Sequence, residues 1–166
     1  FDLPALRFHP RCYYRPNEDD VPGTPGAFPA MIAAVSDNDG VQTGTHRTWL
    51  DPSGGMKAKV ASPRRAMGNI LGNAVRFGTA DDVLIAGEGI ETMLSLRMAL
   101  PRMPMAAALS AAHLAAILFP AALRRLRSSP AERSPPCPRL PWQTFLRGLP
   151  RRARRCESGS ATARRR

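Results

Sequence analysis

At 166 residues and 18.0 kDa the chain can hold one domain with a sizeable core, or one domain and a tail. No apolar run approaches membrane-span length and no charged segment leads into an apolar block at the N-terminus, so neither a spanning helix nor a signal peptide is expected, and the expected location is the cytoplasm. The formal charge of +11 suggests nucleic acid, yet residues 1–126 hold 13 basic and 11 acidic residues, while residues 127–166 hold 11 arginines against Glu132 and Glu157. The excess belongs to the tail.

The chain begins at Phe1, which reads as a fragment or a processed product. Leu6, Phe8, Tyr13 and Tyr14 predict a short strand broken by Pro10, and Asn17 to Pro29 predicts a loop. His9 and Cys12 sit three apart, but no second pair completes a metal site, so a buried or half-buried His and Cys beside aromatics is expected. Cys12, Cys137 and Cys156 contain no CxxC pair and read as free thiols in a reducing compartment. Met31–Val35 and Val41–Leu50 predict two strands of a hairpin joined by the turn Ser36–Gly40. The second strand alternates Thr43, Thr45, Arg47 and Trp49 against Gly44, His46, Thr48 and Leu50. Asp37-Asn38-Asp39-Gly40 looks like the start of a calcium loop, but the bidentate Glu is missing, which leaves a turn. Asp51 to Gly78 reads as a turn and a basic loop, with a short strand at Val75–Phe77. Within it Lys57, Lys59 and Arg64 are candidates for phosphate contact, set against a merely solvated loop.

The organising stretch is Val83 to Ala99, VLIAGEGIETMLSLRMA. An apolar run, Val83–Ala86, passes through Gly87-Glu88-Gly89 into a helix whose Ile90, Met93, Leu94 and Leu96 recur at three- and four-residue spacing. This is the opening of a parallel α/β unit, where ligands collect at the strand ends. Gly87 and Gly89 are expected to let the backbone turn tightly and leave room beside the Glu88 carboxylate. A turn at Pro101–Pro104, a strand at Met105–Leu109 and a helix from Ala111 to Phe119, stopped by Pro120, complete a strand–helix–strand–helix order. His113, in the first turn of that helix, reads as a surface or capping residue. Ala121–Leu126 leads towards a third strand. From Arg127 onward there is no Lys, Val, Ile, Met or Asp, and six prolines follow among repeated Arg and Ser, so disorder is expected. Such a mixture is either a basic arm for nucleic acid or GC-rich DNA read in the wrong frame, and the second reading is favoured.

AGEGIETMLSL, followed by PMAAALSAAHLAAILFP and LRRL, resembles the Toprim domain of phage- and plasmid-type DNA primases and primase-helicases. LRFHPRCYYRP, the PAMIAAV…THRTWLDPSG hairpin and KVASPRRAMG look like the segment that precedes Toprim in those proteins. The resemblance implies an α/β fold: a small Toprim-like parallel sheet flanked by helices, preceded by a β-hairpin segment and followed by the basic tail. It divides the chain into a pre-Toprim segment, 1–80, a partial Toprim domain, 81–126, and a tail, 127–166. It also implies Mg²⁺-dependent primer synthesis from NTPs on single-stranded DNA during replication, with a helicase domain or protein as a possible partner. Glu88 would be the catalytic and metal residue, with Gly87 and Gly89 shaping the turn. Glu91, on the helix about 300° round from Glu88, is either a solvated first-turn acid or an aid to a metal at the helix start.

The chain departs from the family where the third strand should present an Asp-x-Asp pair. Arg127-Ser128-Ser129-Pro130-Ala131-Glu132-Arg133 stands there, and no aspartate follows Asp82. A frameshift or truncation near residue 127 is inferred, leaving a catalytically incomplete chain and a sheet without its third strand, expected to be poorly soluble. Translating the other two frames around codon 127 should reveal an Asp-x-Asp after a β-rich run. Two closed or featureless frames would assign these arginines to the gene.

Overall fold

The computed structural model describes residues 3–128. Alternation of buried and open positions along the early strands builds the first sheet. Strands β1 (Leu6–Tyr13), β2 (Ala27–Ser36), β3 (Gln42–Trp49) and β4 (Arg64–Gly68) form an antiparallel four-stranded meander in that order. The turn between β2 and β3 is held by Asp37, whose Oδ1 accepts from the N–H groups of Asp39 and Val41 at 3.0 and 2.9 Å. Aspartate serves the turn here, as the sequence predicts.

Continuous apolar runs build the second sheet. Strands β5 (Val75–Phe77), β6 (Val83–Gly87), β7 (Met105–Ala107) and β8 (Arg125–Ser128) lie in the order β5-β7-β6-β8. β7, β6 and β8 are parallel, and β5 pairs antiparallel with β7. Helix α1 (Ile90–Ala99) connects β6 to β7, and helix α2 (Ala111–Ala116) lies between β7 and β8. Buried residues over most of β6 and all of β7 are what a covered parallel sheet requires.

One core spans both sheets. Leu6, Met31, Ala33 and Val35 of the meander meet Val75, Phe77, Ile85 and Met105 of the second sheet and Ile90 and Met93 of α1. Each large side chain buried there contributes about 1.5–3 kcal/mol. The join is also hydrogen-bonded: Ser36 and Ala74 exchange backbone bonds of 2.9 and 3.2 Å, and Arg76 donates to the carbonyls of Ser36 and Leu118. Behind the meander a second cluster packs Tyr14, Phe28 and Trp49, with edge-on ring contacts of 5.0 and 5.7 Å. A third, with Leu84, Ala106 and Ile117, fills the α2 side of the second sheet.

Several expectations are corrected. Pro10 does not break β1; the strand runs through it with a bulge between His9 and Cys12, and an edge strand tolerates a missing N–H. His9 is exposed while Cys12 is buried, so that pair shares no site. Residues 64–68, read as part of a basic loop, form β4. The second sheet is mixed rather than purely parallel, because β5 runs against its neighbour. The third parallel strand does form: β8 pairs with β6 from Val83↔Arg125 to Ala86↔Ser128, although all four of its residues are exposed. Main-chain bonds make this ladder without a buried apolar side chain, and the Arg124 and Arg125 N–H groups anchor its start on the Asp82 carbonyl at 2.9 Å. β6 is therefore not an edge, and the argument for poor solubility from a missing strand falls. Helix α2 ends at Ala116, and Ile117 adopts an extended conformation that buries its side chain. The tail expected to be disordered lies, beyond Ser128, outside the described residues.

Gly44 and Gly68 face each other across β3 and β4. A Cβ on Gly68, whose φ is +91°, would lie 2.6 Å from the Thr43 carbonyl oxygen and 2.8 Å from the Gly44 Cα. Gly68→Ala should therefore lower stability by about 1–3 kcal/mol. Gly40→Ala, at φ +81° but in open space, should cost about 1 kcal/mol. The midpoints of urea unfolding curves compare the two directly.

Candidate active site

β6, β7 and β8 all point their carboxyl ends at one edge of the second sheet. In such sheets the crevice outside those ends receives ligands. The chain leaves β6 at Gly87 and enters α1 at Ile90, so Glu88 sits half-buried at the strand tip. Its main chain is pinned to the neighbouring strand exit, where Ala108 N–H donates to the Gly87 carbonyl at 2.9 Å and Leu109 N–H to the Glu88 carbonyl at 2.7 Å. Leu109 holds φ at +79°, a left-handed conformation rare for a branched side chain. Strain of this kind persists where surrounding structure over-determines it, here through the Leu109 N–H bond to the Glu88 carbonyl. No side-chain hydrogen bond or ion pair engages the Glu88 carboxylate among the described residues.

The glycines act differently from expectation. Gly89 has φ −101° and ψ 140°, extended values open to any residue, and Gly87 is absent from the left-handed glycines. Gly89 caps α1 without a side-chain hydrogen bond. What its bareness leaves is room: a Cβ there would come within 3.7 Å of Glu91 Oε2.

Glu91 is neither simply solvated nor free for a metal. Its Oε1 lies 3.0 Å from Lys57 Nζ, in a pair whose side chains are 36 % and 39 % exposed for Lys57 and Glu91. Burial pushes the Glu91 carboxyl up, but its own backbone N–H, Lys57 and Arg64 together hold it below the usual carboxylate range. The contact is ionic, since Oε1 finds no well-directed hydrogen bond. At this exposure it contributes no more than about 1 kcal/mol. Its importance is positional, because it ties the β3–β4 connection to the start of α1.

The meander supplies the other wall. His46 is 8 % exposed on β3, in register with Ala33 on one side and Ala66 on the other, whose small side chains leave it space. Burial, followed by Arg64 and Lys57, drives its pKa down to about 4 against the opposing pull of Glu91, and its Nδ1 has no hydrogen-bond partner. Arg64, in register with Thr48, shares that strand face. Of the three basic candidates, Lys57 and Arg64 thus converge on Glu91 and His46, whereas Lys59 is coupled to Asp51. Sequence alone does not single out His46 as a site residue. Its signal was present in the alternation of Gly44, His46 and Thr48 against Trp49, which places a histidine on the inward face between small residues.

Ser110, not His113, caps α2: the His113 backbone N–H donates to Ser110 Oγ at 3.2 Å, and the half-buried His113 side chain leaves Nδ1 without a hydrogen-bond partner among the described residues.

For magnesium the fit is poor. Mg²⁺ demands six oxygens in near-octahedral array, commonly one or two carboxylates with waters and substrate phosphates. Among the described residues no cluster of three or more His, Cys, Asp or Glu exists, and with Glu91 held by Lys57 the strand tip offers Glu88 alone. The register brings β8 to Ser128 opposite Ala86, two residues short of the level of Glu88. The sequence then reads Ser129-Pro130-Ala131-Glu132, outside the described residues and without aspartate. The described residues do not by themselves assemble a magnesium site.

Comparison with known families gives two matches, whose boundary falls after β5. Residues 83–127 match the family described as the Toprim domain, and residues 1–77 match a domain of unknown function (DUF7146). The first match supports a Toprim domain in this chain, and with it a role in nucleic-acid metabolism in a class that includes primases, topoisomerases and nucleases. No curated protein and no solved structure matches the chain. Among the described residues no helix is long and apolar enough to cross a membrane.

His46 gives this site a pH signature. Its folded pKa near 4 lies below the ordinary value of 6.5, so the unfolded chain takes up the proton first as pH falls. Its contribution is complete above about pH 6.5 and is lost towards pH 4, a decline of up to about 3 kcal/mol. Urea unfolding followed from pH 7 to 4 should show that decline, and His46→Gln should flatten it.

Proposed function

We propose that the chain is the Toprim-bearing part of a phage- or plasmid-type DNA primase, rendered catalytically incomplete after residue 127. The observation that carries this is the convergence of Lys57 and Arg64, from the unit preceding the Toprim segment, on the first turn of the helix that follows Glu88. A primase must hold the phosphates of NTPs and a growing primer beside a carboxylate. Cations delivered from one unit to the strand tip of another serve that need. In this reading residues 1–80 bind and orient, residues 81–126 supply the Toprim carboxylate, and residues 127–166 are the altered tail. Glu88 handles a proton or contributes one oxygen to a cation, while Lys57 and Arg64 neutralise phosphate charge. Lys59, beside Asp51, acts further from that centre. The described residues do not form a site for Mg²⁺. Single-stranded DNA and NTPs are the proposed partners, with a helicase domain or protein as a further one.

The 11 arginines of residues 127–166 favour a second reading, a non-catalytic nucleic-acid binder whose tail grips phosphates. Salt-dependent DNA binding abolished by deletion of 127–166 would favour it.

The primase reading is tested by primer synthesis on single-stranded DNA with NTPs and Mg²⁺. The chain as given should yield no product above background, and a frame-restored chain carrying an Asp-x-Asp should yield product. In the restored chain Glu88→Gln should reduce synthesis by about 10²-fold or more. Normal synthesis by the chain as given, or an unaffected Glu88→Gln variant, would refute it.

A further inference from the structure

The outward face of the meander carries a pattern that the strand-tip site does not use. The registers Arg7↔Ile32, Ile32↔Arg47 and Arg47↔Arg65 place three arginines in one transverse row across all four strands. Neighbouring strands lie about 4.8 Å apart, so the row spans roughly 14 Å. The four strands contain no Asp or Glu. Arg47 and Arg65 are directly opposed, an arrangement of like charges that costs stability in a sheet.

None of the three is neutralised by a carboxylate at ion-pair distance among the described residues. Arg7 Nη1 donates to the Leu3 and Leu6 carbonyls, and Arg65 Nη1 to the Arg15 carbonyl at 2.9 Å. Among the described residues the one hydrogen-bond acceptor Arg47 reaches is the Met67 sulfur, at 3.8 Å, a weak one, and its buried Nε has no hydrogen-bond partner there. Aromatic rings hold the heads in place: Arg47 lies 5.2 Å from the Trp49 ring, and Arg65 lies 4.7 Å from Tyr14 and 5.6 Å from Trp49. Ring and carbonyl contacts thus orient the guanidinium groups, and only Arg65 has a carboxylate in its electrostatic neighbourhood, that of Asp20, which accepts from the Tyr14 hydroxyl at 2.7 Å and forms no ion pair with Arg65 among the described residues. A sheet that tolerates opposed arginines with no carboxylate in its own strands breaks a local rule, and such breaks are expected at functional sites. Beside Arg65 an open groove of about 740 Å³ runs between residues 15–19 and Ser62. Its lining also holds Arg15 and the acidic Glu18 and Asp19, so the row of arginines rather than this groove is the part suited to an anion.

We propose that this outward face, through Arg7, Arg47 and Arg65, binds the phosphodiester backbone of single-stranded nucleic acid, apart from the Glu88 strand tip. A row of forked donors across a flat sheet suits successive phosphates of an extended strand better than one compact anion. The choice of a nucleic-acid strand rests on the proposed function. The two fail separately, since primer synthesis by the frame-restored chain reads the one and oligonucleotide binding by the given chain reads the other.

The test uses the full chain, a fluorescent oligothymidylate of about 16 nucleotides and anisotropy titrations over a range of salt concentrations. Changing Arg7, Arg47 and Arg65 together to Gln should weaken binding and reduce the log–log salt slope by about 2. Arg7→Gln alone, which leaves the ring contacts of Arg47 and Arg65 in place, should reduce the slope by about 0.7. The charge-matched control, Arg102, Arg124 and Arg125 to Gln, should change it less than the row variant does. Equal loss in that control would show that only overall charge matters and would overturn the proposal. Displacement of the oligonucleotide by polyglutamate as effectively as by unlabelled oligothymidylate would assign the face to an acidic protein instead, and would also overturn it.

Discussion

Everything functional in this molecule depends on the apolar seam between its two sheets. Leu6, Met31, Ala33 and Val35 cannot be buried by the meander alone, and Val75, Phe77, Ile85 and Met105 need a cover on the same side. Each set solves the other's problem. Because the seam is dense and continuous, it also fixes the height at which β3 and the β3–β4 connection meet the start of α1. Lys57, Arg64 and His46 reach the neighbourhood of Glu91 for that reason and no other.

The electrostatics at the top of the seam follow from this forced proximity. A histidine between two alanines, with Arg64 and Lys57 nearby, stays neutral, because a proton there would lose hydration and meet two positive charges. Glu91 gives the opposite outcome: burial works against its charge, yet its own N–H and the same two cations retain it. One group sheds charge and its neighbour keeps it, which leaves the corner with a net positive bias beside the uncommitted Glu88. The Leu109 N–H, donating to the Glu88 carbonyl at 2.7 Å, ties the Glu88 backbone to the neighbouring strand exit.

The meander shows a division of labour between its faces. Its inner face feeds the seam and delivers cations to the strand tip, while its outer face lines up Arg7, Arg47 and Arg65 above a Tyr14–Phe28–Trp49 cluster. Rings of that cluster hold Arg47 and Arg65 in order without an ion pair among the described residues. β8 carries a related lesson for the α/β unit. Backbone bonds alone complete its pairing with β6, so a strand of arginine, leucine and serine serves as structure while contributing no carboxylate ligand.

Local pattern by itself determined a good deal: the hairpin strands from their alternation, the Asp37 turn, the β6–Glu88–α1 unit from its apolar run and helical spacing, and the absence of Asp after Asp82. These are short-range properties of the chain, governed by period and turn chemistry. What only the tertiary structure decided depends on register and packing between distant segments. β4 and β8 have no apolar signal and exist through main-chain pairing; Pro10 is tolerated because β1 is an edge; Glu91 is claimed by a lysine 34 positions earlier. His46 looked like any strand histidine until the seam closed over it. The arginine row is invisible in a sequence that scatters Arg7, Arg47 and Arg65 across 59 positions, because only strand register, a long-range hydrogen-bonding fact, sets them side by side.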